Sequence, residues 1–520
     1  MELERYSVPT SAAHWTREFQ FILEQLFLNS DGFAVHLDHR QPLFIRRDAN
    51  GNAPEALICF STAVDNHYYP KRLLNTTADL DLKLSIFSAK NTRVVTDHVV
   101  HRSGYIPKPT AIPADLSLIR SPTFTSDGIF DLSHVGLNIY SESTISKYIE
   151  NITSKYSLSP KSQFLIERYN WLNYSHGYEV DSKTFPNMSS FADGLAAKGV
   201  RLGGMLAGPT LSVNDKAHPE YRNYTLHTAA TNYPTWTLDF TKPETVAFYS
   251  ALLARVAKQY RVATFWLKSF IFWGDDCNFH DPAVTRYFSL FVPAYIEAAS
   301  RSNVTVISEM AYRSQHLPAY TRLVEYYPTS AGQMLRELVP MMLSASISGY
   351  SFLLPFPAGT FNDYFKWYKT FRRPSEELYI RLLQATTFMA GQSFTRPPWN
   401  YTDNKAVELT KKFIHLHAEH AETIIDLMKR RVATGSPVLR PVWYNFPEEP
   451  RAYHIGDQFM LGENILVAPV TVEGQRERPV FIPPGNWVDQ HGKTFKGPVE
   501  VKVLAPLEEL PYFKKAEHFE

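Results

Sequence analysis

The sequence predicts an α/β fold, a (β/α)8 TIM barrel set between an N-terminal β-rich domain and a C-terminal β-sandwich. Three observations carry this. A strand–helix–strand rhythm repeats through the middle of the chain, short alternating apolar runs dominate both ends, and 520 residues suffice for one large core with smaller flanking units. The expected boundaries are residues 1–120 for the N-terminal domain and connector, 121–430 for the barrel and 431–520 for the sandwich.

In the first part, Gly32–Leu37 and Leu82–Phe87 alternate or nearly so, as half-buried strands do. Prolines at 107, 109, 113 and 122 then mark an extended connector. From Thr123 onward the period changes. Ile145, Tyr148, Ile149 and Ile152 fall at helical spacing, and the apolar run Phe164–Ile166 follows as a strand. Phe191 and Leu195 lead to Gly199, suited to the left-handed position after a helix, and then to Val200 and Leu202 of the next strand. The segment Leu238–Glu244 predicts a helix start, with Thr241 as cap and Pro243 and Glu244 in the first turn. Val246, Tyr249, Leu253, Val256 and Tyr260 then share one face, and Val262–Leu267 forms a strand. Beyond about Ser436 the chain returns to β: Ile465–Val470, Val480–Ile482 and Val499–Val503, the last placing Val499, Val501 and Val503 on one buried face.

Leu461–Val470, Ile482–Asp489, Phe185–Asn187, Lys198–Val200 and Leu238–Pro243, taken together, resemble glycoside hydrolase family 31. Leu461–Val470 is similar to the start of the sandwich that follows the family's barrel, and Ile482–Asp489 to its proline–glycine–x–tryptophan turn. Phe185–Asn187, Lys198–Val200 and Leu238–Pro243 match barrel landmarks in order. Arg396–Tyr401 and Gly349–Pro355 look most like the myogenesis-regulating glycosidase branch. The resemblance implies a retaining α-glycosidase ancestry, in which two carboxyl groups about 5–5.5 Å apart act as nucleophile and acid/base.

The sequence departs from that chemistry. The family's nucleophile aspartate ends the fourth barrel strand, but here Val262–Leu267 is followed by Lys268. A carboxylate about 4 Å from a developing cation is worth roughly 4 kcal/mol at an effective dielectric near 20, and an ammonium opposes it by a similar amount. That swing is on the order of a million-fold in rate. A shifted alignment puts Trp273 at the position and brings Asp275 and Asp276 near. The acid/base region reads Pro328–Gln333 and carries no carboxylate; Gln333 stands in it and Glu337 lies just beyond. Phe356 replaces a pocket aspartate, and Met205 a sugar-wall tryptophan. Glu309 stands where the family carries arginine, so an exchanged ion pair between Lys268 and Glu309 is expected to fill the old site. Glu167, or Arg168 with a one-residue shift, corresponds to an aspartate that holds sugar hydroxyls. Trp171, Trp236 and Trp399 are candidate stacking surfaces.

These residues define three readings. The first is a catalytically degenerate barrel, a pseudoenzyme that binds a glycan or a partner protein. The second is an active α-glycosidase with relocated carboxylates from Asp275, Asp276 or Glu337. The third uses Lys268 as a Schiff-base nucleophile, which a Glu309 partner disfavours by stabilising the charged form.

Composition sets the wider limits. A net charge of +1 without a long basic run gives no electrostatic support for nucleic acid. No apolar stretch approaches a membrane span, and no metal-ligand or cofactor motif is present, so no cofactor is expected. Two cysteines, Cys59 and Cys277, do not define a redox compartment. Seven N-x-[ST] sequons, at Asn75, Asn151, Asn173, Asn187, Asn223, Asn303 and Asn400, exceed chance and point to a secreted or membrane-anchored glycoprotein. Met1–Ser30 has no signal-peptide pattern, so a signal or anchor is expected upstream. The sequence leaves oligomeric state open.

Overall fold

The computed structural model describes residues 24–37, 44–47, 58–61, 82–126, 141–166, 171–173, 178–206, 208, 210–211, 219–228, 235–267, 280–281, 291–323, 331–359, 374–401 and 404–516. Its centre is an eight-stranded parallel sheet made of β1 (Thr123–Thr125), β2 (Ser162–Ile166), β3 (Val200–Leu206), β4 (Thr264–Leu267), β5 (Thr305–Ser308), β6 (Tyr320–Arg322), β7 (Leu353–Leu354) and β8 (Ser393–Phe394). Neighbouring strands follow chain order, β1 pairs with β8, and a parallel bridge between Ala358 and Phe394 joins the β7 segment to β8. The sheet therefore closes on itself as a barrel. The core strands are buried on both faces, which is why they read as continuous apolar runs rather than alternating ones.

Among the described residues, the helices that follow or join these strands are α1 (Glu142–Glu150), α2 (Met188–Ala197), α3 (Pro243–Tyr260), α4 (Phe291–Ser300), α5 (Ala331–Ile347), α6 (Glu376–Thr386) and α7 (Lys405–Thr434). The predicted apolar faces are the buried ones. Ile145, Tyr148 and Ile149 of α1 and Tyr249, Leu253, Val256 and Tyr260 of α3 all enter the core. Gly199 follows α2 at φ +78, and a Cβ there would lie 2.4 Å from the Pro160 carbonyl oxygen. The start of α3 differs from expectation: Lys242, not Thr241, is the cap residue. The Thr241 hydroxyl is engaged elsewhere, donating to Asp239 and accepting from the Asp281 N–H at 3.0 Å.

The β5–β6 crossover, residues 309–319, contains no helix. The N-terminal part of the chain covers it instead. There a three-stranded antiparallel sheet (Leu26–Leu28, Phe33–Leu37, Leu84–Ser88) packs on the helix Thr92–Asp97, which continues as the wider turn His98–Arg102. Glu24 Oε1 accepts from Arg313 N (2.9 Å), Gln315 Nε2 (2.6 Å) and the Tyr350 hydroxyl (2.9 Å). Arg313 also donates to the Tyr105 carbonyl at 2.6 Å. Burial raises the Glu24 pKa above the ordinary carboxylate range, against the pull of those donors.

Behind the barrel, six antiparallel strands form one continuous sheet in the order Leu439–Arg440, Phe459–Leu461, Ile465–Val467, Tyr512–Lys515, Glu477–Asp489, Thr494–Leu504. Its core gathers Val442, Met460, Leu466, Phe481, Trp487 and Phe513, with Val499, Val501 and Val503 half-buried against it on one face. Two buried guanidiniums join these parts. Arg381 on α6 donates to the carbonyls of Gln475 (2.7 Å) and Ala505 (2.8 Å). Arg431 on α7 donates to Ser351 Oγ (2.8 Å), the Gly349 carbonyl (2.9 Å) and His101 Nδ1 (3.1 Å). Gly435, the left-handed residue ending α7, lies so close to His101 that a Cβ would approach its ring to 2.6 Å.

Burial, followed by the Arg431 charge, depresses the His101 pKa from 6.5 to about 3. A depressed histidine leaves stability intact above the unfolded value and removes it as pH falls towards the folded one. Global stability is therefore expected to fall by roughly 2 kcal/mol between pH 6.5 and 5 from this residue, at about 1.4 kcal/mol per unit. Urea unfolding across that range, with His101→Gln alongside, checks it: the variant should show a shallower slope, and parallel slopes would remove the assignment.

Candidate functional site

The C-terminal ends of barrel strands are where this fold builds its sites. At the end of β5, Glu309 is buried and its N–H donates to the Leu267 carbonyl at 3.2 Å, continuing the β4–β5 ladder past Ser308. The Ser308 hydroxyl donates to the Met310 carbonyl at 2.7 Å, closing a tight turn directly around Glu309. One strand further on, Arg322 ends β6, also buried, with its guanidinium carbon 4.0 Å from the centre of the Trp266 ring on β4. A desolvated cation over an indole face is a favourable contact, worth about 2 kcal/mol. The pairing Ser308–Thr321 makes Glu309 and Arg322 successive in register across two adjacent strands.

Strand β3 contributes shape. A Cβ on Gly203 would lie 2.3 Å from Leu165, and one on Gly204 would lie 2.2 Å from the Trp171 ring. Gly204 admits Trp171, which is 1% exposed and donates its indole N–H to the Met205 carbonyl at 2.7 Å. Met205 is itself buried, opposite Trp266 in the β3–β4 register. Phe356, beyond β7, is buried, as is Arg396 after β8.

The predicted site residues thus separate. Met205, Glu309 and Phe356 lie at or just past the strand ends. Gln333 and Glu337 are on α5 and bond to each other, Gln333 Nε2 donating to Glu337 Oε1 at 2.7 Å. Trp399 is stacked on Tyr156, 4.9 Å between ring centres and 5° from parallel. The backbone of Trp236 lies in the strand Thr235–Leu238, which pairs outside the barrel sheet. Glu167, Lys268, Asp275 and Asp276 lie outside the described residues, as does the expected Lys268–Glu309 pair through its lysine. Among the sequons, Asn187, Asn223 and Asn303 are exposed, Asn151 and Asn400 are half-buried, Asn173 is placed by its backbone and Asn75 lies outside.

Sequence reasoning did not single out Arg322 or Arg396 as site residues. The first had no motif around it. The second lies inside Arg396–Tyr401, a segment whose resemblance marks a place in the fold rather than a role.

The family models decide the relationship. The glycosyl hydrolases family 31 TIM-barrel domain matches residues 134–424, and the family's C-terminal domain matches residues 435–518. The chain belongs to glycosyl hydrolase family 31. It is 32% identical over 287 residues to the myogenesis-regulating glycosidase of Mus musculus, an alignment covering 53% of this chain and 39% of that protein. To the SITS-binding protein of Tetronarce californica it is 34% identical over 209 residues, covering 38% and 28%. The chain thus spans well under half the length of these curated relatives. A crystal structure of a GH31 α-xylosidase from a soil metagenome superposes with a TM-score of 0.72 at 18% identity, covering 99% of this chain and 77% of that one. Among the described residues no helix is long and apolar enough to cross a membrane.

The glycine pair on β3 gives a direct test of how the strand ends are filled. Gly204→Ala forces its methyl into the Trp171 ring and is expected to cost about 2 kcal/mol. A melting temperature unchanged from the parent would show that Trp171 can move aside.

Proposed function

We propose that this family 31 barrel is a pseudoenzyme of the secretory pathway that binds a glycan or a partner protein without hydrolysing a glycosidic bond. The observation that carries the reading is at the fourth strand: β4 ends at Leu267, and the next residue in the sequence is Lys268, where the family's nucleophile is an aspartate. Three further replacements accompany it, with Gln333 in the acid/base region, Phe356 for a pocket aspartate and Met205 for a sugar-facing tryptophan. Covalent glycosyl transfer needs two carboxyl groups, a nucleophile and an acid/base, in mutual register. The printed name of the SITS-binding relative describes binding rather than hydrolysis, which agrees with this reading. Glu309 and Lys268 exchange the family's arginine and nucleophile aspartate between adjacent strands, and an ion pair between them would fill the old site.

A second reading is favoured by the other relatives, whose names are those of glycosidases and glucosidases. In it the barrel hydrolyses α-glycosides with Asp275, Asp276 or Glu337 in the vacated roles.

Purified protein assayed on a panel of activated aryl α-glycosides separates the two. Neither the parent nor Lys268→Asp should turn over above background, because one restored carboxylate still lacks its acid/base partner. Turnover by the parent that is abolished in Asp275→Asn or Asp276→Asn would establish the glycosidase reading and discard the pseudoenzyme.

A further inference from the structure

The barrel closes through a short pairing, and a buried histidine sits behind it. Among the described residues, β8 meets β1 through Ser393–Thr123 and Phe394–Phe124, with the two phenyl rings stacked 5.0 Å apart. The chain enters β1 from the helix Ser117–Arg120, and it enters β8 from the turn that ends α6. A Cβ on Gly391 in that turn would lie 2.9 Å from the Leu118 carbonyl oxygen, so the two entrances touch. His417, on α7, reaches both. It is 2% exposed, with Nδ1 2.8 Å from the Thr387 carbonyl oxygen and Nε2 2.7 Å from the Ile119 carbonyl oxygen.

Carbonyl oxygens only accept, and a neutral imidazole carries a single N–H. Either neutral tautomer therefore sets a nitrogen lone pair against one of the two oxygens. Turning the ring over puts a C–H towards each oxygen, well inside the roughly 3.3–3.6 Å of such contacts. The imidazolium alone has a donor for both. Its charge also has a favourable setting, because Thr387 caps the C-terminus of α6, the negative end of that helix's dipole. Burial pushes the His417 pKa down and the two carbonyls pull it up; the donor count decides between them. The ionisable neighbours leave room for the charge. His420, one turn along α7, opposes it, but burial holds the pKa of His420 down too, and its Nδ1 bonds the Leu416 carbonyl. Arg120, on the helix before β1, is paired with Glu422 of α7 at 2.6 Å in solvent. On α6, Arg381 is turned to the carbonyls of the C-terminal unit. The turn 387–392 holds no ionisable residue.

We propose that His417 is an imidazolium in the folded protein, a proton-dependent clamp that ties the entrance of β1 to the entrance of β8. With its proton it donates to both carbonyls; without it, one bond is lost and a lone pair faces the oxygen that remains. Closure of the barrel seam therefore weakens as pH rises. A histidine held charged in this way contributes stability that is fully present below its unfolded pKa, about 6.5, and is lost as pH rises through the folded value. That sign is opposite to the one for His101. The clamp depends on neither reading of the barrel's activity.

Two measurements on the full chain test this, and the first needs no variant. In NMR spectra of protein labelled with 15N-histidine, recorded about one pH unit above the ordinary histidine value, one ring should show two N–H groups that share a single Hε1 and resist exchange with solvent. Exposed rings lose such protons to exchange, and His101 and His420, with depressed pKa values, offer at most one each. If no protected ring shows more than one N–H, the clamp is overturned. In the second, urea unfolding of the parent and of His417→Gln is compared across the same range. His101 is common to both and cancels. The unfolding constant of the variant relative to the parent should fall by up to about tenfold per pH unit above roughly pH 6.5. A ratio that stays flat there, or that climbs as pH rises towards that value from below, identifies a neutral His417 and removes the proposal.

Discussion

A guanidinium withdrawn from water must find acceptors inside the protein, and Arg431 finds them in separate parts of the chain. It sits near the end of the barrel's last helix, reaches the turn before β7 through Gly349 and Ser351, and reaches the N-terminal helix through His101. Beside it Tyr444, from the C-terminal unit, donates to Asp97 on that same N-terminal helix. Barrel, N-terminal helix and the short helix Val442–Asn445 that leads into the C-terminal sheet therefore meet around two adjacent sets of hydrogen bonds. Such a cluster is costly when broken, because a lost partner leaves a desolvated charge or carbonyl behind. It also fixes a single relative placement, since hydrogen bonds are directional where apolar contacts are not.

Arg381 repeats the arrangement on the other flank, from α6 to two carbonyls of the C-terminal unit, and Gln384 adds bonds to the Leu507 and Glu509 carbonyls. With α6 and α7 held in this way, the β7 and β8 strands between and before them are held too. The mouth inherits that rigidity. Glu309 and Arg322 lie at the ends of two strands of that same sheet, and Trp171 is seated against Gly204.

Much of the fold was legible because parallel barrel strands are short and wholly apolar, and the helices between them carry regular stripes. Phe164–Ile166, Val200–Leu202 and Val262–Leu267 announce themselves in this way, as does Gly199 by its need for a positive φ. The cap of α3 was misread because Thr241 has the right chemistry for a cap, while its hydroxyl is claimed by Asp239 and Asp281, which only the folded chain brings near. Met205, Glu309 and Phe356 stood out in the sequence because each breaks a resemblance at a fixed place, and the folded chain puts all three at or just past strand ends. Arg322 was not, because its significance comes from a Trp266 ring more than fifty positions away and from a register no local pattern encodes. Trp171 illustrates the same limit: nothing in its own segment says that Gly204 will make room for it.

The crossover without a helix carries a consequence for how this protein can be divided. In an ordinary barrel each connection shields its own pair of strands, and the ring is self-sufficient. Here residues 309–319 are shielded by Glu24, Tyr105 and Ile106, all of them upstream of the first barrel strand. The N-terminal unit is thus the missing wall of the barrel rather than an appendage to it. A splice form or cloning boundary that begins at residue 121 would leave that wall open.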